Sequence, residues 1–172
     1  MVRNVHVREL DVPAAEAGAL LDTLGGPDDV LWPSPWWPAM RLDRPLRTGS
    51  RGGHGPIRYH VGRYEPGRLL ECRMEPGAGL RGTHAFTVEP AGPARCRIRH
   101  EIDGRATGVM LVAWPLAVRW LHDAVLEDVF DRAEQALAVG PSRPARWSPW
   151  VRLLRRVTAR PRVDTVPVPA GG

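Results

Sequence analysis

Three features of the 172-residue sequence predict an α+β fold in which an antiparallel sheet of six or seven strands curves around one long C-terminal helix. Four stretches between residues 57 and 103 alternate apolar and polar side chains with period two. Hairpin signals, Pro66-Gly67 and "PAGPA" (90 to 94), join them in pairs. After Gly104 the apolar spacing lengthens to that of an amphipathic helix and keeps it to about residue 138.

The elements follow in order. "VRNVHVREL" (2 to 10) alternates as a first strand. Pro13 suits the first turn of a helix over "AAEAGALLDTL" (14 to 24), where Leu20, Leu21 and Leu24 keep helical spacing until Gly25-Gly26 stops it. "LWPSPWWPAM" (31 to 40) holds three Trp and three Pro and belongs on an irregular segment, because proline removes backbone donors. "MRLDRPL" (40 to 46) reads as a short strand with Pro45 at an edge or end, and "RTGSRGGHG" as a flexible turn.

The meander comprises "IRYHVGRY" (57 to 64), "LLECRME" (69 to 75), "THAFTVE" (83 to 89) and "RCRIRHEID" (95 to 103). Alternation places Cys96, Ile98, His100 and Ile102 on one face, with His84, Phe86 and Val88 beside them. A five-residue loop at 90 to 94 would set Phe86 opposite Ile98 and His84 opposite His100. A two-residue Pro66-Gly67 turn would pair Tyr59 with Met74 and Val61 with Cys72. Cys72 and Cys96 then lie two strands apart, at about 9 to 10 Å. A disulfide needs Cα atoms within about 7 Å, so two free thiols are expected.

On the helix, Trp114, Val118, Leu121, Val125, Val129 and Ala136 form the apolar stripe, and Arg119, Asp123, Glu127, Asp131 and Glu134 the opposite side. Pro115 begins its regular part or kinks it, and Gly140-Pro141 ends it.

"GGHGPIRYHVGRYEPGRLLECRME", then "THAFTVEP", "CRIRHEIDG" and "WPLAVRWLHDAVLEDVFDRAEQAL", resembles the SRPBCC superfamily, which includes START-like lipid carriers and aromatic polyketide cyclases. The resemblance spans residues 2 to 138 and rests on element order and on "YEPGR" in its hairpin. It implies a helix-grip fold, two short helices after the first strand, and a seventh strand either hidden in residues 47 to 55 or lost. It also implies a cavity between sheet and helix. The metal-binding Cys/His set of the superfamily's Rieske oxygenases is not seen, and no cofactor is expected.

Composition narrows the classes further. All 24 basic residues are Arg, a bias that weakens any inference of a nucleic-acid partner. Residues 1 to 139 carry 17 Arg against 18 acids, whereas residues 140 to 172 carry seven Arg and one Asp. A helix-grip domain at 1 to 139 and a basic tail at 140 to 172 are therefore expected. The start has no apolar leader, and the longest apolar run, "VMLVAWPLAV" (109 to 118), is about half of what a bilayer span needs. A cytoplasmic protein, peripheral at the membrane through its tail, is the expectation.

The expected function is binding or carriage of a hydrophobic small molecule, with cyclase or dehydratase chemistry in the same cavity, or an adaptor role, as alternatives. Trp36, Trp37, Tyr59, Met74, Phe86 and Trp114 are the candidate walls, and the indoles of residues 31 to 40 either roof a cavity or plug the core. His84 and His100 are the polar candidates, open to ligand hydrogen bonding, acid–base work or plain interior pairing. No third ligand beside them favours a metal. His122 sits at the edge of the helix stripe, and Arg63 either follows Tyr59 inward or stays exposed at the rim. No nucleophile elbow, phosphate loop or zinc spacing is present.

In the tail, Ser148 and Pro149 open a short helix with Trp150, Leu153, Leu154 and Val157 on one side and Arg152, Arg155, Arg156 and Arg160 on the other. This pattern suits an anionic membrane surface or a protein partner, or docking on the body itself. The final "DTVPVPAGG" is expected to be disordered.

Overall fold

The computed structural model describes residues 1 to 158. The tract "DTVPVPAGG" lies outside the described residues. Twelve elements follow in chain order: β1 (Val2–Leu10), α1 (Ala14–Leu21), β2 (Arg41–Leu42), β3 (Arg51–His54), β4 (Ile57–Glu65), β5 (Leu69–Met74), β6 (Leu80–Gly92), β7 (Arg95–Ala106), α2 (Met110–Ala113), a π-helical turn (Trp114–Val118), α3 (Arg119–Ala136) and α4 (Pro149–Thr158). Seven strands form one antiparallel sheet in the order β1-β7-β6-β5-β4-β3-β2. The helices from α2 to α3 follow the sheet, as the helix-grip expectation requires.

The seventh strand, β3, lies inside the glycine-rich stretch that reads as a flexible turn. Its alternation is hidden because Gly52 and Gly53 occupy two of its positions. A Cβ on either would come within 1.9 Å of a backbone carbonyl oxygen, of Arg41 or Ile57, so the residues that obscure the strand also permit its close pairing. One helix stands where two are implied. The Asp29 carboxylate accepts hydrogen bonds from the backbone N–H groups of Gly25, Leu31 and Trp32, which folds residues 25 to 32 as a turn instead.

The predicted pairs Tyr59↔Met74 and Val61↔Cys72 are present, but by a different route. The loop is longer, with Glu65 opposite Leu69, and a bulge between Val61 and Arg63 restores the register. The bulge reverses the alternation, so Arg63 points to solvent and Tyr64 donates inward to Asp22. In the β6–β7 hairpin the expected register is corrected by two residues. A bulge at Pro90–Gly92 sets Phe86 opposite His100 and His84 opposite Ile102. An even shift keeps every side chain on its predicted face.

Pro115 falls within the helical run, in a π-helical turn after which the regular α3 begins at Arg119. Its missing N–H is absorbed by the π-helical turn, where Arg119 N–H reaches the Trp114 carbonyl five residues back. α3 ends at Ala136, before Gly140-Pro141. Ala138 adopts φ 57°, and Val139 N–H bonds the Glu134 carbonyl, which is a Schellman-type close with alanine in the glycine position.

The main core lies between the sheet, α1 and α3, around Leu10, Leu21, Leu70, Ile98, Val129 and Phe130. A second cluster at one end holds Val2, Leu80, Ile102 and Ala106, flanked by Met74, Met110 and Trp114. Cys72 and Cys96 are free and buried.

Candidate functional site

A column of histidines crosses the interior. The inner face of β7 contributes His100, directly opposite His6 of β1 and Phe86 of β6. His84 stands two residues along β6, β4 contributes Tyr59, β3 contributes His54, and α3 lowers His122 onto the sheet. Successive ring centroids are close: His54 to Tyr59 6.0 Å, Tyr59 to His84 4.6 Å, His84 to His100 5.6 Å, His100 to His122 5.0 Å and His122 to His6 5.8 Å. His84 and His100 meet, as their shared face predicts, with His100 Nε2 3.5 Å from His84 Nδ1.

Burial sets the charge of this column. It pushes His84 down to about 3 and His54 down to about 4, with neighbouring histidines adding to both shifts. His100 and His122 are also lowered, chiefly by burial. These imidazoles are neutral near pH 7, and burial likewise holds the Tyr59 hydroxyl protonated. Four buried atoms on these rings, Tyr59 Oη, His84 Nε2, His100 Nδ1 and His122 Nδ1, have no hydrogen-bond partner among the described residues. Leaving one such group unpaired costs about 1–3 kcal/mol.

The column ends in a polar seam between β1 and α3. Asn4, His6 and Arg8 lie on the inner face of β1. Asn4 Nδ2 donates to Asp123 Oδ1 at 2.9 Å, and His6 Nε2 lies 3.0 Å from the same oxygen. Against the effect of burial, hydrogen bonds to Asp123 and Glu127 raise His6 to about 9. Burial raises the Asp123 carboxyl, but His122, His6 and Asn4 together outweigh it and hold that carboxyl below the usual carboxylate range. Arg8 is buried and reaches Glu127, Asp131 and Glu134. The four acids of that side of α3 thus pair with an edge strand, Glu134 buried, Asp131 mostly buried and Glu127 partly open to solvent, while Arg119 stays exposed. Sequence reasoning missed this seam, and the polar residues at every second position of β1 were the available signal.

The indoles divide. Trp32 and Trp37 are buried, Trp32 stacking on His54 with centroids 4.8 Å apart. Trp36 is 65% exposed, away from the histidine column. It helps line an outer cavity of 480 Å³ with Asp128, Asp131, Arg132 and Trp147. Trp37 and Trp147 both donate to Asp128 Oδ2. Burial raises the Asp128 pKa against the lowering effect of those two bonds.

Phe86 packs edge-on against His100 at 4.5 Å, and Trp114 lies 6.1 Å from His122. Met74 borders a second cavity, of 670 Å³, with Leu80, Thr107, Val109 and Met110. This cavity lies where the β5–β6 turn meets the start of the helix. Of the predicted wall residues it touches Met74 alone.

The tail helix α4 packs on the body. Val151 is buried, Trp150 Nε1 donates to the Leu116 carbonyl, and the Arg155 guanidinium stacks on Trp37 and Trp147 at 4.4 and 3.7 Å while also bonding the Trp36 carbonyl. Leu154 is half-buried, and Arg152, Leu153 and Arg156 face outward. No helix among the described residues is long and apolar enough to cross a membrane.

No protein-family model and no curated protein sequence matches the chain. Solved structures do. CalU16 from Micromonospora echinospora matches at 16% identity over 91% of this chain and 83% of that one, with a TM-score of 0.56. Norcoclaurine synthase from Thalictrum flavum, in complex with dopamine and hydroxybenzaldehyde, matches at 15% identity over 80% of this chain and 88% of that one, with a TM-score of 0.57. XoxI from Bacillus cereus matches at 12% identity over 80% and 96%, with a TM-score of 0.59. At these identities the likeness is one of fold, and it agrees with the helix-grip architecture described above.

Proposed function

We propose that the protein binds and carries a small, mostly apolar molecule bearing a neutral polar group, a phenol hydroxyl or a carbonyl, between the sheet and the long helix. The observation that carries this reading is the set of unpartnered buried atoms on Tyr59, His84 and His100, beside an interior that is otherwise apolar. Neutral imidazoles both donate and accept, so they suit a neutral hydroxyl better than a carboxylate. The ligands of the norcoclaurine synthase neighbour, dopamine and hydroxybenzaldehyde, are phenolic aromatics and lend support. Entry is by the 670 Å³ cavity, where the flexible thioethers of Met74 and Met110 stand before Trp114 and the column.

The test uses 2-naphthol, naphthalene and 2-naphthoate as probes. We expect 2-naphthol to bind most tightly, and His84→Phe or His100→Phe to weaken it about tenfold, the value of one hydrogen bond, with naphthalene little affected. Equal binding of 2-naphthol and naphthalene, or of none of the three, overturns the reading. Native mass spectrometry of freshly purified protein should show a retained small molecule.

The place of loading is an anionic membrane surface. Val109 is 85% exposed and borders the cavity mouth, and Leu111, Val112 and Leu116 are exposed beside it. α4 extends this apolar surface with Trp150 and Leu153, joined through the Trp150–Leu116 hydrogen bond, while Arg119, Arg152 and Arg156 supply positive charge. Vesicles of mixed phosphatidylglycerol and phosphatidylcholine should retain the protein in flotation, and phosphatidylcholine alone should not. Leu116→Glu with Leu153→Glu should release it. Retention unchanged by that double substitution refutes the placement.

Cyclase or dehydratase-like chemistry is the second reading. It is favoured by the contrast between cationic His6 and the neutral histidines next along the column, which sets a proton donor beside acceptors. An enzyme would lose turnover on His100→Ala yet keep affinity for an apolar probe.

A further inference from the structure

We propose that His6, His122 and Asp123 form a site for a divalent first-row transition metal, zinc or iron(II), in the seam between β1 and α3. One donor atom from each residue lies within 4.8 Å of the others. Asp123 Oδ1 is 3.0 Å from His6 Nε2 and 3.8 Å from His122 Nδ1. Metal bonds of about 2.0–2.1 Å to imidazole and carboxylate set neighbouring donors about 3.3 Å apart in a tetrahedron. The two spacings to Asp123 bracket that value, and the His6–His122 pair lies within 4.8 Å, so closing the site takes side-chain rotation that draws the donors onto one ion. Two imidazoles and one carboxylate are a donor set that serves zinc and non-haem iron alike, and three protein ligands leave a position for solvent or a ligand group.

Two further observations separate this cluster from an ordinary ion pair. First, His122 Nδ1 faces the same Asp123 oxygen at 3.8 Å, beyond hydrogen-bond reach, and is buried without a hydrogen-bond partner among the described residues. Second, His6 is held from behind as a metal ligand is held. Its Nδ1 faces Glu127 Oε1 at 3.3 Å, and Arg8 fixes that carboxylate through Oε2 at 2.8 Å, which turns Nε2 toward Asp123. A carboxylate on the far nitrogen fixes the ring and raises ligand basicity. The spacing of the ligands in the chain gives no motif, since His6 and Asp123 are 117 residues apart. The site stands independently of the proposed small-molecule reading, although it lies next to His100 at the end of the same column.

The test is calorimetric titration of the chelator-treated full chain with zinc chloride, with cobalt(II) absorption as a second readout. We expect one equivalent bound, and at least a tenfold loss of affinity in His122→Leu and in Asp123→Asn. Glu127→Gln should lose about 10–100-fold as a residue that positions His6. His60→Leu, at a half-exposed histidine paired with Glu75, should bind as the parent does. Absence of binding to the parent, or binding that survives both ligand substitutions, overturns the site. Should a variant fail to fold by circular dichroism, X-ray absorption of the zinc-loaded parent decides: two imidazole scatterers are expected, and a shell without imidazole refutes the proposal.

Discussion

Arg8 shows how much a single side chain of the seam supports. Its guanidinium is buried and faces three carboxylates of α3, with the Phe130 ring beneath it. Removing one partner of a buried charge network leaves the other charges uncompensated, at about 3–5 kcal/mol. Arg8→Ala should lower unfolding stability by that amount in urea titration, whereas Arg97→Ala, on the exposed outer face with Glu9, should cost less than about 1 kcal/mol. The interior histidines give stability a pH dependence. His54, near His84, His122 and Arg58, and His84, near His54 and His122, both titrate lower in the folded chain than in the unfolded one. Their contribution is complete above about pH 6.5 and is lost as pH falls toward the folded values of about 4 and 3. Thermal denaturation between pH 7 and 4 should show a falling Tm, with a loss on the order of 3 kcal/mol from each of these groups. Substitution of both by Phe should flatten that decline.

The docking of α1 on the β4–β5 turn depends on glycine. A Cβ on Gly18 would lie 2.3 Å from the Gly67 carbonyl oxygen, while Asp22 accepts from Gly67 N–H and Tyr64 Oη at 2.8 Å each. Gly18→Ala should therefore destabilise by about 1–3 kcal/mol even though alanine is the better helix former, and equilibrium unfolding checks this. Elements of this kind mark the limit of what the sequence tells. Alternation made β1 and β4 to β7 readable, and their faces with them, because one side is covered and the other wet. It did not show β3, where glycines replace the alternating side chains, nor the bulges after Val61 and near Pro90 that reset register. His84 and His100 could be placed inward by parity alone. His6, Asp123 and Glu127 could not be brought together, because that contact depends on how α3 lies across an edge strand.

The whole molecule combines an apolar core with a polar inclusion at one side of its helix. Core residues from sheet, α1 and α3 pack around Phe130 and Ile98, and the histidines occupy the adjoining interior. α4 is fastened to the Trp/Pro segment by Arg155 and to the π-helical turn by Trp150. One consequence concerns the two cysteines. Burial pushes the Cys72 thiol up to about 12 and raises that of Cys96 as well. Each sulfur is enclosed by the sheet and its covering helices, and the thiolate is the reactive form. Alkylation by iodoacetamide should therefore proceed only when strands β5 and β7 separate from their cover, so its rate serves as a built-in clock for how often the protein breathes. A phenolic guest that fills the interior should slow that clock, and one that rests on the outside should leave it unchanged.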